Sequence, residues 1–129
     1  MAIKLIQQIA PEFVDGRGEI FKLLDDGKTI IKSVLLITCA KGAIRANHYH
    51  KKDTHWVYLL SGSMEYTEAA IDGKGYKESV IVKKGDLVFT PSNVAHAMRF
   101  LEESVFLTLS TESRHQDAYE NDTIRVKVI

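Results

Sequence analysis

The chain has 129 residues, 45% of them hydrophobic and 26% charged, with 17 basic side chains against 17 acidic ones and no net charge. A second independent core would leave each half near the lower size limit for folding alone, so residues 1–129 read as one domain, and the composition excludes disordered, collagenous and coiled-coil classes. No basic block neutralises a phosphate backbone, no apolar run approaches the roughly 20 residues that span a bilayer, and Met1 to Ala10 lacks a signal peptide's apolar region. Nucleic acid and membrane are therefore not expected partners, and the expected compartment is the cytoplasm. The single cysteine, Cys39, lies in an apolar stretch and reads as a small buried residue without thiol chemistry.

In chain order, short segments rich in Val, Ile, Phe, Tyr and Thr predict strands at Ile3 to Gln8, Glu19 to Leu24, Ile30 to Cys39, Ala43 to His50, His55 to Leu60 and Met64 to Ala70. Further strands are predicted at Tyr76 to Lys83, Asp86 to Thr90, Ala95 to Phe100, Val105 to Thr111 and Thr123 to Val128. Turn chemistry separates them, as in Asp15-Gly16-Arg17-Gly18, Ser61-Gly62-Ser63 and Lys84-Gly85. No segment carries a strong helical period. So many short strands without a long linker predict an all-β sandwich or barrel around one core.

Four of the five histidines fall in two places, His48, His50 and His55 together and His96 some forty residues later. Residues two apart on a strand point the same way, so the rings of His48 and His50 share a face. The connection Lys51 to Thr54 is short enough to fold His55 back toward them, and antiparallel pairing brings His96 alongside. Neutral imidazole is a ligand for zinc, iron and nickel, so the four rings predict one divalent ion: zinc, iron, nickel or manganese, without a ranking. Two histidines at this spacing also occur on ordinary polar strand faces, and the ion prediction rests on all four converging.

The spacing Gly42, five residues, His48-x-His50, four residues, His55, six residues, Gly62 resembles the first cupin motif, with His55 where glutamate is usual. Gly85 to His96, with Pro91 between them, resembles the second, with Asn93 where glycine is common. The resemblance implies a cupin double-stranded β-helix, a jelly-roll barrel of one domain. Asp15-x-Arg17-Gly18-Glu19-Ile20, Arg45-Ala46-Asn47-His48, Trp56 to Gly62 and Tyr119 to Arg125 further resemble the nucleotide-sugar branch of the cupins, which includes TDP-keto-sugar epimerases and ketoisomerases.

That resemblance implies an isomerase or epimerase acting on a nucleotide-linked keto-deoxy sugar, with His48 as the base and Arg17 and Arg45 holding the diphosphate. Lys51 and Lys52 add local positive charge, although a solvated strand edge explains them as well, and Lys51 joins the candidate substrate-binding residues. A histidine that ligates an ion has no free lone pair for a proton. With all four bound, the ion polarises the ketone and Tyr58, Glu65 or water moves the proton. Arg45 lies an odd number of positions before His48, so it faces the same way only if a bulge intervenes. The branch also implies a homodimer in which strands such as Ile3 to Gln8 are exchanged and Arg17 serves the neighbour's pocket. Two other functions fit the same histidines: a metal-dependent cupin of another class, such as an oxygenase on a small organic acid, and a binding module without turnover.

Overall fold

Period-two alternation of apolar and polar residues builds two facing antiparallel sheets. The structure, a computed structural model, describes residues 3–129 and contains twelve strands and one short helix. One sheet comprises β1 (Lys4–Ile6), β9 (Leu87–Thr90), β6 (His55–Ser61), β11 (Ser104–Ser110) and β4 (Ser33–Cys39), in that spatial order. The other comprises β12 (Thr123–Arg125), β5 (Ile44–His50), β10 (Ala95–Phe100), β7 (Ser63–Ala69) and β8 (Lys77–Lys83). A detached hairpin, β2 (Phe13–Asp15) with β3 (Gly18–Ile20), lies outside both. This is the expected single-domain, all-β jelly roll.

The inward-facing residues grade from apolar to polar along the barrel. On β6 they run Leu59, Val57, His55; on β10 Phe100, Met98, His96; on β11 Phe106, Thr108, Ser110; on β7 Met64, Tyr66, Glu68. The register aligns these series, with His55 opposite both Thr90 and Ser110, and His96 opposite both His48 and Glu68. One end is consequently an apolar plug of Leu59, Met64, Val82, Phe100 and Phe106, and the other gathers side chains that hydrogen-bond. Burial of the plug drives folding, and the polar end is positioned by it.

The bulge required by the parity of Arg45 is present. His96 pairs with His48 but the next residue, Ala97, pairs with Ala46, so Asn47 is the extra residue. Ala46 and Asn47 both adopt positive φ, 70° and 55°. Asn tolerates that region because its side chain can bond locally to backbone. Here the Asn47 amide oxygen accepts the N–H groups of Val128 and Ile129 at 2.9 and 3.1 Å, and Nδ2 donates to the Ile129 carbonyl. The C-terminal residues are thereby pinned over the sheet's outer face, where Val128 packs on Ala95 and Ala97. Asn47→Ala removes three hydrogen bonds and is expected to lower the unfolding free energy by about 2 kcal/mol, measured by denaturant titration.

Three expectations are corrected. Segment Ile3 to Gln8 has a partner within the chain: β1 pairs with β9, and Asp86 Oδ1 accepts the backbone N–H and Nε2 of Gln8. Phe13–Asp15, not anticipated as a strand, forms a hairpin with what remains of the Glu19 to Leu24 prediction. Gln116–Asp122 is a helix, α1, inside a stretch where the sequence has no apolar stripe. Its seven residues are organised by contacts beyond the helix. Asp122 accepts the N–H groups of Lys52 and Asp53, and Thr123 Oγ1 donates to the Tyr119 carbonyl at 2.6 Å.

Candidate active site

The four imidazoles gather at the polar end of the barrel. Ring centroids are 4.5 Å apart for His48 and His50, 4.7 Å for His48 and His96, 5.8 Å for His50 and His55, and 5.5 Å for His55 and His96. They line a cavity of about 150 Å³, with Leu35, Ile37, Val57, Met98 and Phe106 forming its apolar wall. Pockets that bury a drug-sized ligand run to about 300–1,000 Å³. This one takes a ring-sized group, and anything larger must extend across its mouth.

The tautomers follow from the partners. Asp53 Oδ2 lies 2.8 Å from His55 Nδ1, and a carboxylate only accepts, so Nδ1 carries the proton. The Val94 carbonyl, 3.4 Å from His96 Nδ1, likewise accepts. Thr123 Oγ1 spends its proton on Tyr119 and therefore accepts from His50 Nδ1 at 3.2 Å. In each neutral ring the lone pair is left on Nε2. His48 makes no ring hydrogen bond to the described residues.

Burial, reinforced by the charges of His50, His55, Arg125 and Arg114, pushes the His48 pKa down to about 3. His96, fully enclosed, is pushed well below the ordinary value by burial and by the other three rings. His50 is lowered by burial and by His55, against the opposing pull of Asp53 and Asp122. Near neutral pH, His48 and His96 are therefore uncharged. Lone pairs converging on one space call for a cation or for the acidic hydrogens of a substrate.

The donor set fits a divalent ion. His48, His50 and His96 form a group whose ligand atoms lie within 4.8 Å of one another, and His50, Asp53 and His55 form a second group. The Nδ1 partners of His50 and His96 resemble the outer hydrogen bonds that orient metal-bound imidazoles. His55 does not join the first group. It falls instead in the second group with His50, its Nδ1 held by Asp53 and its Nε2 left free.

Arg45 lines the pocket because of the Asn47 bulge, with Nε donating to Cys39 Sγ and Nη2 to the Thr38 carbonyl, both at 3.1 Å. Four other candidates lie elsewhere. Tyr58 alternates with inward-facing Val57 and Leu59, and Glu65 with Met64 and Tyr66, so both point away from the pocket. Lys51 is exposed on the loop after β5 and does not line the cavity. Arg17 sits on the detached hairpin with its side chain 88% exposed and bound to Asp15. Parity errors explain Tyr58 and Glu65: their sequence neighbours Val57 and Tyr66 occupy the inner face.

Asp53, Asp122, Arg114 and Tyr119 line the cavity and were not singled out as site residues from sequence. A signal for Asp53 existed, since it lies two residues before His55 and so shares its face. Deeper in, Tyr66 is stacked beside His96, and its hydroxyl bonds Glu68 at 2.7 Å and Thr90 at 2.8 Å. Burial, with the nearby Glu78 charge, raises the Glu68 pKa. Asn93 takes positive φ where the family motif commonly has glycine, and its amide donates to the Lys51 carbonyl.

The sequence profile of the cupin domain matches residues 35–111, more than half of the chain. The chain belongs to the cupin family. A double-mutant form of QdtA, a 3,4-ketoisomerase from Thermoanaerobacterium thermosaccharolyticum in complex with TDP, is 27% identical; the match covers 95% of this cupin and 86% of that chain, with a TM-score of 0.72. A 3,4-ketoisomerase from Helicobacter canadensis shares the fold, with a TM-score of 0.76 at 24% identity over 97% of this cupin and 91% of that chain. Oxalate decarboxylase OxdC of Bacillus subtilis is 40% identical over 62 residues, which are 48% of this cupin but only 15% of the decarboxylase. No helix among the described residues is long and apolar enough to cross a membrane.

Proposed function

We propose that this cupin is a sugar-nucleotide isomerase or epimerase that moves a proton at the carbon next to the ketone of a TDP-linked keto-deoxy sugar. The observation that carries the reading is the inward-facing imidazole cluster at the mouth of a barrel built like the 3,4-ketoisomerases, in which neither ring nitrogen of His48 has a partner among the described residues. The sugar ring occupies the cavity and the diphosphate lies across the mouth near Arg45. His48 takes the proton from carbon and the electron pair moves onto the ketone oxygen; the proton returns to the same carbon, or, once the hydroxyl on that carbon has passed its proton to the former ketone oxygen, to the former carbonyl carbon, so that the ketone has moved. The low basicity of His48 in the free protein comes from burial and neighbouring cations. A bound diphosphate and the developing enediolate act in the opposite sense and lift it toward a useful range. Incubation with a TDP-4-keto-6-deoxy sugar in deuterated water is expected to introduce label beside the ketone; no exchange at high protein concentration rejects the reading.

The imidazole group His48, His50 and His96, with the likeness to part of an oxalate decarboxylase, supports a second reading, a metal-dependent cupin acting on a small organic acid. Those three residues would hold the ion, which when bound supplies a Lewis acid for a substrate oxygen. His48 then has no lone pair left for a proton. Elemental analysis is expected to find a stoichiometric divalent ion under this reading and none in His96→Ala. Under the first reading, wash-in survives chelation.

A homodimer accompanies the proposal. The edge strand β4 exposes Val34 and Leu36, and the hairpin exposes Phe13, Val14 and Ile20, an apolar surface that a second copy covers. Arg17, which does not line its own pocket, would then reach the partner's. Sedimentation is expected to give twice the chain mass, and Leu36→Lys to give the monomer.

A further inference from the structure

The carboxylates lining or flanking the mouth of the pocket are committed to other groups, while one guanidinium there is not. Arg125 holds Glu120 through hydrogen bonds of 3.0 and 3.1 Å, and Glu112 lies 3.7 Å from Lys32. Asp122 accepts backbone N–H groups of Lys52 and Asp53, and Asp53 accepts from His55. Asp117, in the first turn of α1, does not line the cavity. Arg114 does line it, and among the described residues it has no hydrogen bond or ion pair.

Its position is nevertheless set. The Arg114 guanidinium carbon lies 4.0 Å from the centroid of the Tyr119 ring, and Tyr119 in turn packs beside His50 and His48 at 5.7 and 6.5 Å. A guanidinium held face-on to an aromatic ring keeps its edge N–H donors directed away from that ring, in a fork that matches two phosphate oxygens. Its charge reaches the interior, where it helps to hold down the pKa of both His48 and His50. Arg45, by contrast, has already given Nε and Nη2 to protein acceptors. Arg114 is thus a pre-positioned cation, acting on Glu120 only at a distance and without a direct carboxylate partner among the described residues, at the entrance to a cavity too small for a whole nucleotide sugar.

Resting on the sugar-nucleotide reading, we propose that Arg114, held flat by Tyr119, binds the phosphoryl group of the substrate at the pocket mouth and so sets how far the sugar reaches toward the histidines. Arg114 takes the place in this chain's own pocket that the sequence assigned to Arg17.

Titration calorimetry with thymidine 5′-diphosphate, inorganic pyrophosphate and thymidine tests this. Arg114→Gln is expected to weaken the two phosphate-bearing probes about 10- to 100-fold and leave thymidine unchanged, as loss of a charge-assisted bidentate contact requires. Arg114→Lys keeps the charge without the fork and falls between. Tyr119→Leu weakens the same two probes, and Tyr119→Phe, which retains the ring, binds them as the parent does. Unchanged binding of both phosphate-bearing probes by Arg114→Gln, or no binding of either by the parent, overturns the proposal. Arg114-dependent pyrophosphate binding without deuterium wash-in leaves this site standing and removes the isomerase reading. Wash-in whose KM is indifferent to Arg114→Gln does the reverse.

Discussion

Replacing His48 by asparagine is expected to reduce deuterium wash-in about 10²- to 10⁴-fold, the contribution of a positioned general base, while binding of thymidine 5′-diphosphate changes little. Asparagine keeps a polar planar group of similar size and cannot take a proton. Among the described residues His48 is the one ring of the four without a hydrogen bond on either nitrogen, so its removal strands no buried partner there, and a folding defect is not expected to confuse the result. Tyr58→Phe and Glu65→Gln serve as controls and are expected to retain near-parent rates, since both side chains face away from the cavity. A His48→Asn protein that exchanges label at the parent rate would move the base to another residue, with the His55–Asp53 pair the next to test.

Acid is expected to begin destabilising the ion-free protein as the pH falls below about 6.5, before the carboxylates titrate. His48 holds off protonation until about pH 3 and His96 is likewise depressed, whereas in the unfolded chain both take up protons near the ordinary value of 6.5. Between those limits the unfolded state binds more protons. Stability is therefore complete above about pH 6.5 and is lost as the pH falls, by about 1.4 kcal/mol per pH unit for each fully shifted histidine. At pH about 4.5 the enclosed, neutral His96 works against the folded state, and His48, which keeps some solvent contact, adds to the loss. Glu68 works the other way: burial raises its carboxyl pKa, so its protonation in the folded state adds stability as pH falls and offsets part of the slope. Urea titrations at pH about 7 and 4.5 measure the difference, and His48→Gln should flatten it. Equal stability at both values contradicts the burial of neutral rings.

The bulge on β5 shows where strand parity stops and local chemistry takes over. A strand period places His48 and His50 together and sets Arg45 on the opposite face, and the condition for Arg45 to join them was one extra residue. Asn47 is that residue, and nothing between Ala43 and His50 marks it out, because its positive φ is secured by the C-terminal residues Val128 and Ile129. The same limitation produced Tyr58 and Glu65. Aromatic and acidic side chains near histidines are attractive candidates, but a shift of one position decides whether they face the cavity or the opposite side of the sheet. The apolar-to-polar grading of Leu59, Val57, His55 and of Phe100, Met98, His96 was present at a spacing of two, and it marks the inner face once both series are aligned.

Short apolar alternation and glycine at the corners determined by themselves an all-β sandwich or barrel, since these follow from local periodicity; the jelly roll and the gathering of the histidines at one end were what the resemblance of the histidine spacing to the cupin motifs implied. Only the folded chain decided which charges remain unpaired. Glu120 meets Arg125 five residues away, but Asp53 and Asp122 are brought together across 69 positions, and Arg114 is left open only because every nearby carboxylate has another partner. Pairing is a property of three-dimensional proximity, and on a chain with equal numbers of acids and bases no count of residues reveals where the balance fails.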